Sequence, residues 1–373
     1  MKIAILTPLF PPKHLAGLEI AAYNIAKHLA EKHEVHVITT LDKGLLKEST
    51  EEGFYVHRFK TSKIPILRTV SYCIKSFFVT KKIDPGIVHI QTIFLALSGL
   101  LIKKVLHKPY IVYGRGSDVY FSWRFKNLIS KPILKNADAV IALTGDMKRE
   151  IQSICNRDVF VIPNGIDLER FENLSKEDLR SKLEIKDEKI IMFVGTLRPV
   201  KGVKYLIEAM KTITDKNKNV RLFIVGDGEE RKCLENLVRT LNIERCVTFI
   251  GKVPNDEIPK YMAASDVFVL PSLSEGFPVT VVEAMASGLP IVATTVRGLP
   301  EIIENDENGF LVEPKNPNRI AEKVLLLLED DELRERISRK NKEKSKLFDW
   351  GNIVDSLEKI YKQICNNCNY KSK

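Results

Sequence analysis

The sequence predicts an α/β protein built from two doubly wound parallel-sheet domains, and three observations carry that prediction. Its 373 residues exceed twice the ~150 of a typical domain. Short, almost unbroken runs of Val and Ile alternate with amphipathic helical stretches, as strands buried on both faces require. The alternation halts once, at Pro163-Asn164-Gly165-Ile166-Asp167 and the polar stretch after it, and then begins again.

Taken in order, the first set of strand runs covers residues 3–7, 34–40 (EVHVITT), 54–59 (FYVHRF), 87–91 (IVHIQ), 110–113, 139–143 (AVIAL) and 159–162, with a first helix over 17–31. The second set covers 190–195, 220–226, 247–251, 267–271, 290–294 and 309–312. A helix between successive strands implies parallel pairing. The expected domains are residues 1–165 and 166–345. Residues 346–373 then form a terminal helix, spaced by Ile353, Leu357, Ile360 and Tyr361, and a polar tail; the first domain is its candidate resting place. Two such domains facing each other would leave a cleft at the carboxyl ends of their strands, where ligands of this architecture bind.

Composition narrows the function. Hydrophobic residues make up 44% and charged residues 28%, which excludes collagen, coiled coil and wholesale disorder. The net charge is +10, and it is not evenly spread: residues 1–165 hold 24 Lys and Arg against 13 Asp and Glu, while the remainder is near neutral. Such an excess suits nucleic acid, an acidic membrane surface or a phosphorylated ligand. With no RNA- or DNA-binding module in view, nucleic acid is set aside. The opening KIAILT reads as a strand rather than a secretory leader, and the longest apolar run, 93–102, is half of the ~20 residues a membrane span needs. A cytoplasmic protein is expected. Cys365 and Cys368 form a lone C-x-x-C without two further ligands nearby, so no metal is expected and the thiols read as reduced.

The strongest motif is Glu275-Gly276-Phe277-Pro278-Val279-Thr280-Val281-Val282-Glu283, directly after the run VFVLP. Gly-Phe-Pro forces a loop, and Val279 starts a helix whose free N–H groups and dipole attract an anion. Glu275 would stand before that helix and Glu283 one turn into it. Carboxylates in these places suit sugar hydroxyls, as acceptors from vicinal OH groups.

With its lead-in Leu270-Pro271-Ser272 and the following Glu283-Ala284-Met285-Ala286-Ser287-Gly288-Leu289-Pro290, this segment resembles the retaining glycosyltransferases of family 4 (glycosyl transferases group 1). Val194-Gly195-Thr196-Leu197-Arg198-Pro199-Val200-Lys201-Gly202, Gly226-Asp227-Gly228, Pro163 to Asp167 and Pro11-Pro12 to Glu19 extend the resemblance over nearly the whole chain. It implies the GT-B fold, two Rossmann-like domains across a cleft, with the second domain binding a nucleotide-diphospho-sugar. It implies that Lys201 neutralises the diphosphate and that Glu275 contacts the donor sugar, beside the amides of Gly276 and Phe277. Pro278 and Val279 open the phosphate-binding helix, Glu283 holds the ribose, and Gly251-Lys252-Val253 meets the base through backbone. Gly226 and Gly228 either permit close backbone approach to a ligand or form a tight strand-to-helix turn, and Gly17, at the first helix, faces the phosphate or acceptor.

The chain departs from the family pattern in places. Thr196 stands where an Arg is common, and Arg198 is the candidate to replace its charge. Ala16 replaces one of two glycines before Glu19. In Gly114-Arg115-Gly116-Ser117-Asp118, Arg115 occupies the usual histidine position. An Arg cannot act as a base near neutral pH but can hold a phosphate or a carbonyl bidentately; Asp118 would orient the acceptor or pair with Arg115.

No Asp-x-Asp is present, so leaving-group charge falls to Lys201, Arg198 and the helix start rather than to a metal, and no cofactor is expected. The implied reaction moves a hexose from a UDP- or GDP-sugar to a glycan or lipid-linked acceptor with retention, Glu275, Lys201 and Asp118 being the catalytic candidates. Residues 63–82 interleave Lys63, Arg68, Lys75, Lys81 and Lys82 with apolar and aromatic residues, as an interfacial helix does, and suggest peripheral contact with the inner membrane face. A non-catalytic nucleotide-sugar-binding subunit and an epimerase of the same fold are the alternatives.

Overall fold

In the computed structural model the two sets of apolar runs close into two separate sheets. The structure describes residues 1–14, 16–120 and 126–371, with only the backbone of residues 65, 66, 117, 126–129 and 367–371. The side chains of Ile66 and of Cys368, half of the C-x-x-C pair, therefore lie outside the described residues.

The first sheet contains β1 (Lys2–Leu6), β2 (Glu34–Thr40), β3 (Glu48–Glu51), β4 (Phe54–Phe59), β5 (Ile87–Ile90), β6 (Tyr110–Tyr113), β7 (Ala139–Ala142) and β8 (Phe160–Val161), in the order β3-β4-β2-β1-β5-β6-β7-β8. The pairs are parallel except β3–β4. Residues 3–6 and 87–90 are fully buried, which is why these runs are apolar without alternation. Strand β3 is an addition to the sequence reading. Its residues, Glu-Ser-Thr-Glu, carry no apolar signal because an edge strand facing water needs none. Arg58 of β4 holds it, donating to Ser49 Oγ and Glu51 Oε1, each at 2.7 Å.

The second sheet contains β9 (Lys189–Val194), β10 (Val220–Val225), β11 (Val247–Gly251), β12 (Val267–Leu270), β13 (Ile291–Thr294) and β14 (Phe310–Val312), in the order β11-β10-β9-β12-β13-β14. All its pairs are parallel. Strand order reverses between β1 and β5 in the first sheet and between β9 and β12 in the second. These are the topological switch points, where loops splay apart and make room for a ligand.

The chain divides into two compact units, Met1–Gly165 with Trp350–Lys373, and Ile166–Asp349. Within the first unit the terminal helix Trp350–Lys371 is tied down by Lys32–Asp355 (3.1 Å) and by the Tyr361 hydroxyl, 2.6 Å from Nδ1 of the fully buried His89. Trp350 lies where a Cβ on Gly165 would stand, 2.5 Å from its Cδ2. The helix extends to Lys371, since no Gly or Pro after Gly351 stops it.

Helix α1 spans Gly17–Ala30 and helix α2 spans Pro65–Ile83. The inner face of α2 packs on the sheet through Tyr72, Cys73, Ser76 and Thr80, with the Tyr72 hydroxyl 3.0 Å and 2.9 Å from the carbonyl oxygens of Thr7 and Ile38. Leu67, Val70, Ile74 and Phe78 return at helical spacing on a different face and are exposed. The aromatics of this segment thus part company: Tyr72 goes inward and Phe78 outward.

Candidate functional site

The second unit's switch point builds the site from two loops. The loop after β9 makes a short 3-10 turn, Pro199–Lys201, and ends at Gly202. The loop after β12 runs from Pro271 to Pro278 and enters the helix Val279–Ala286. Leu273 N donates to Val200 O (2.7 Å), joining the two. Gly202 has φ +62, and a Cβ there would lie 2.2 Å from Pro271 O, so only glycine lets the loops approach this closely. The approach brings Lys201 Nζ to 2.6 Å from Glu275 Oε1. Ser272 Oγ, fully buried, donates to the same oxygen at 2.6 Å. Glu275 is itself only 7% exposed, and among the described residues nothing hydrogen-bonds its Oε2. Lys201 retains two ammonium N–H groups for another acceptor.

The helix Val279–Ala286 starts from extended Pro278 without a side-chain cap, and no acid stands in its first turn. Its leading amides are therefore open to an anion, and Gly276 and Phe277, both half-buried, precede them. Glu283 follows on the same helix, 6% exposed, and no described residue hydrogen-bonds its carboxylate. Burial raises its pKa to about 7, against the opposing pull of Arg170. A buried carboxylate without a protein donor is costly unless a ligand supplies one.

The remaining second-unit candidates divide. Thr196, Arg198 and Lys252 are exposed, and Val253 is half-buried. Arg198 has no ion pair with a described residue and is a mobile-length cation two residues from Thr196. Gly226, with φ +132, is required by crowding: a Cβ would stand 2.0 Å from Gly195 O, and one on Gly228 2.3 Å from Leu197 O. Backbone bonds Gly195 N to Val225 O (3.0 Å) and Leu197 N to Asp227 O (3.1 Å) hold these loops together. That packing accounts for both glycines before any ligand is considered.

In the first unit Gly17 opens α1 behind an extended, uncapping Ala16, and a Cβ on it would meet nothing within 4 Å. Two residues on, Glu19 is 7% exposed and its Oε2 is buried with no hydrogen-bond partner. Sequence reasoning left Glu19 out of the candidates; an acid in the first turn of an uncapped helix was the available signal, and its burial was not readable.

Arg115, after β6, stacks its guanidinium 3.7 Å from the centroid of Tyr113. Its Nε donates to Gln91 Oε1 (2.9 Å) and an Nη to Asn164 Oδ1 (2.5 Å). Both acceptors are neutral, and Arg115 pairs with no carboxylate among the described residues. Of the two readings of Asp118, the pair with Arg115 is not formed, and a backbone clamp stands in its place. Asp118 Oδ1 accepts from the N–H groups of Arg115 (2.9 Å) and Gly116 (3.0 Å), and Oδ2 from that of Ile93 (2.8 Å). A carboxylate three residues along a tight turn reaches the turn's amides more readily than the guanidinium at the end of a long side chain. Burial nevertheless lifts the Asp118 pKa, while His89 beneath is held neutral by burial and the nearby Arg115 charge.

Comparison with known proteins shows the family and the fold. Residues 15–170 match the family model "Glycosyltransferase Family 4" and residues 175–344 match "Glycosyl transferases group 1". An uncharacterised glycosyltransferase of Methanocaldococcus jannaschii is 33% identical over 97% of this chain and 98% of its own length. Among solved structures, sucrose-phosphate synthase from Thermosynechococcus elongatus aligns with a TM-score of 0.85 at 23% identity, covering 97% of this chain and 98% of that one. An Anabaena protein in complex with UDP aligns with a TM-score of 0.84 at 23% identity, over 97% of this chain and all of the other.

Proposed function

The chain belongs to the family 4 glycosyltransferases and has their GT-B fold, and from that premise we propose that it moves a hexose from a UDP- or GDP-sugar to a glycan or lipid-linked acceptor with retention at the anomeric carbon. The observation that carries the donor reading is the pairing of Lys201 with buried Glu275 beside an uncapped helix that bears Glu283, a buried carboxylate with no protein donor. The bound UDP of a structural neighbour supports it.

In this reading the amides at Val279 and the ammonium of Lys201 hold the diphosphate, with Arg198 able to swing onto it. Glu283 accepts from the ribose hydroxyls and Glu275 Oε2 from a hydroxyl of the sugar. The acceptor oxygen attacks the anomeric carbon from the face the diphosphate leaves. The carbon–phosphate oxygen bond breaks as the new glycosidic bond forms, and the acceptor's proton passes to the departing phosphate oxygen. Negative charge grows on that oxygen in the transition state, so Lys201 and the helix dipole act there most strongly. Lys252 and Val253 flank the base through backbone. In the first unit Asp118 is a positioning residue that fixes the loop carrying Arg115, and Arg115 holds an oxyanion on the acceptor side.

Thermal-shift titration with UDP-, GDP- and ADP-sugars tests the donor assignment, since a ligand of the folded state raises the melting temperature by mass action. No shift with any of the three sinks it. The exposed apolar stripe of α2, flanked by Lys75, Lys81 and Lys82, supports peripheral docking on an acidic inner membrane face. Among the described residues no helix is long and apolar enough to cross a membrane. Co-sedimentation with anionic but not neutral vesicles at low salt is the expected result.

A further inference from the structure

We propose that the first unit holds a binding site for an acceptor with a phosphate or diphosphate head and an apolar chain. The inference rests on the transferase reading above and adds the acceptor's chemical class.

A cavity of about 1130 Å³ opens at the carboxyl ends of β1, β2, β4 and β5, against the N-terminal part of α2. It lies at this sheet's switch point, where Leu9 follows β1 and Thr92 follows β5. The volume is at or above the upper end of the roughly 300–1,000 Å³ common for small-molecule pockets, so the occupant is larger than a single sugar.

Charge identifies one end of the ligand. Lys43, Lys47, Lys60, Lys63 and Arg68 line the cavity, and none of them pairs with a carboxylate among the described residues. Its one acid, Asp42, is engaged by His14 at 3.1 Å. Elsewhere on this unit lysines do find acids: Lys2 with Glu34, Lys103 with Asp138, Lys108 with Asp84. The loops bearing the cations are also tied in place, Lys13 donating to Lys43 O (2.5 Å) and Lys75 to Lys60 O (2.7 Å). Five unneutralised cations, four on the loops and Arg68 on α2, form a positive potential well that suits more than one negative charge.

Apolar surface identifies the other end. Leu9, Leu41, Leu45 and Phe94 line the same cavity, and Leu46 is 72% exposed at its edge. Ile64 and Leu67, neighbours of Lys63 and Arg68, begin the exposed stripe that continues to Phe78. At 1.5 Å per residue that stripe is about 20 Å long, enough for an alkyl or prenyl chain to lie along it.

The test uses the full-length protein and a fifteen-carbon prenyl diphosphate, kept below its aggregation concentration and without vesicles, so that membrane charge plays no part. The prenyl alcohol and inorganic pyrophosphate are the comparison probes. The diphosphate lipid is expected to bind about tenfold or more tighter than either. The exposed triple variant Lys43→Ala/Lys60→Ala/Lys63→Ala is expected to weaken it by about tenfold, as loss of three exposed charge contacts implies. Lys211→Ala/Lys218→Ala, the charge control in the second unit, is expected to leave it unchanged. Equal binding of the alcohol, equal binding of pyrophosphate, or an unaffected triple variant overturns the proposal. Nucleotide-sugar binding is measured in parallel: its absence with prenyl diphosphate binding intact defeats the donor reading and leaves this site standing.

Discussion

At the second unit's switch point a few charges are enclosed and aimed: half-buried Lys201 on buried Glu275 at 2.6 Å, and Glu283 buried without a donor. At the first unit's switch point five cations stand exposed around a wide cavity whose one acid, Asp42, is engaged by His14. The same doubly wound architecture thus carries two styles of recognition. Buried, hydrogen-bonded groups define distances and directions, and they act in a medium where each interaction is strong. Exposed cations define sign and approach, and salt weakens them. The first style suits a small ligand whose every hydroxyl matters, and the second suits a partner recognised by charge and an apolar body.

The sharpest way to break this comparison is Lys201→Ala. With one aimed charge removed, transfer should fall by about 10³-fold, the scale of losing a group that stabilises developing negative charge. A fall of less than about tenfold in a folded variant would show that the second unit also works by a diffuse field. Glu275→Gln should come next, lowering transfer by about 10²-fold while nucleotide binding by calorimetry stays within about threefold. Equal loss of both would move Glu275 from the sugar to the nucleotide.

Glu283 offers a pH test of burial itself. Its pKa rises from 4.5 in the unfolded chain to about 7 in the fold. The protonated form is therefore favoured on folding: its stabilisation is full below pH 4.5 and lost as pH rises through 7, a change of about 3 kcal/mol. Denaturant unfolding of wild type and Glu283→Gln at pH 5 and pH 8 should show the wild type losing more stability on going to the higher pH. Parallel behaviour of the two proteins would mean that Glu283 is solvated. The smallest effect is expected from salt. Raising it from about 0.05 to 0.3 M should weaken acceptor-side binding in the first unit by about tenfold and donor binding far less, and equal sensitivity would erase the distinction.

Much of the fold was legible because buried parallel strands leave continuous Val and Ile runs, and those runs fall on β1, β2, β5 to β7 and the second sheet. Strand β3 was not, because its backbone pairing with β4 and the contacts of its Ser49 and Glu51 with Arg58 leave no apolar run in its own residues. At the site, Lys201, Glu275 and Glu283 were legible from loop chemistry and helix onset. Glu19 was not, since nothing local says that its carboxylate is enclosed. Which of its two readings Asp118 follows was not legible for the same reason: backbone amides compete for a carboxylate and leave no mark in the sequence.

The sequence by itself determined the two α/β repeats, the family, the basic first half and the residue types gathered after the strands. These follow from periodicity, turn chemistry and composition, which are local. Only the tertiary structure decided that Lys201 meets Glu275 across 74 positions of chain, that Gly202 and Gly226 are demanded by crossing backbones, that Arg115 rests on Tyr113 with neutral partners, and that five lysines and arginines encircle one cavity. Burial and pairing belong to the folded neighbourhood of a group, and that neighbourhood is assembled from residues far apart in the chain.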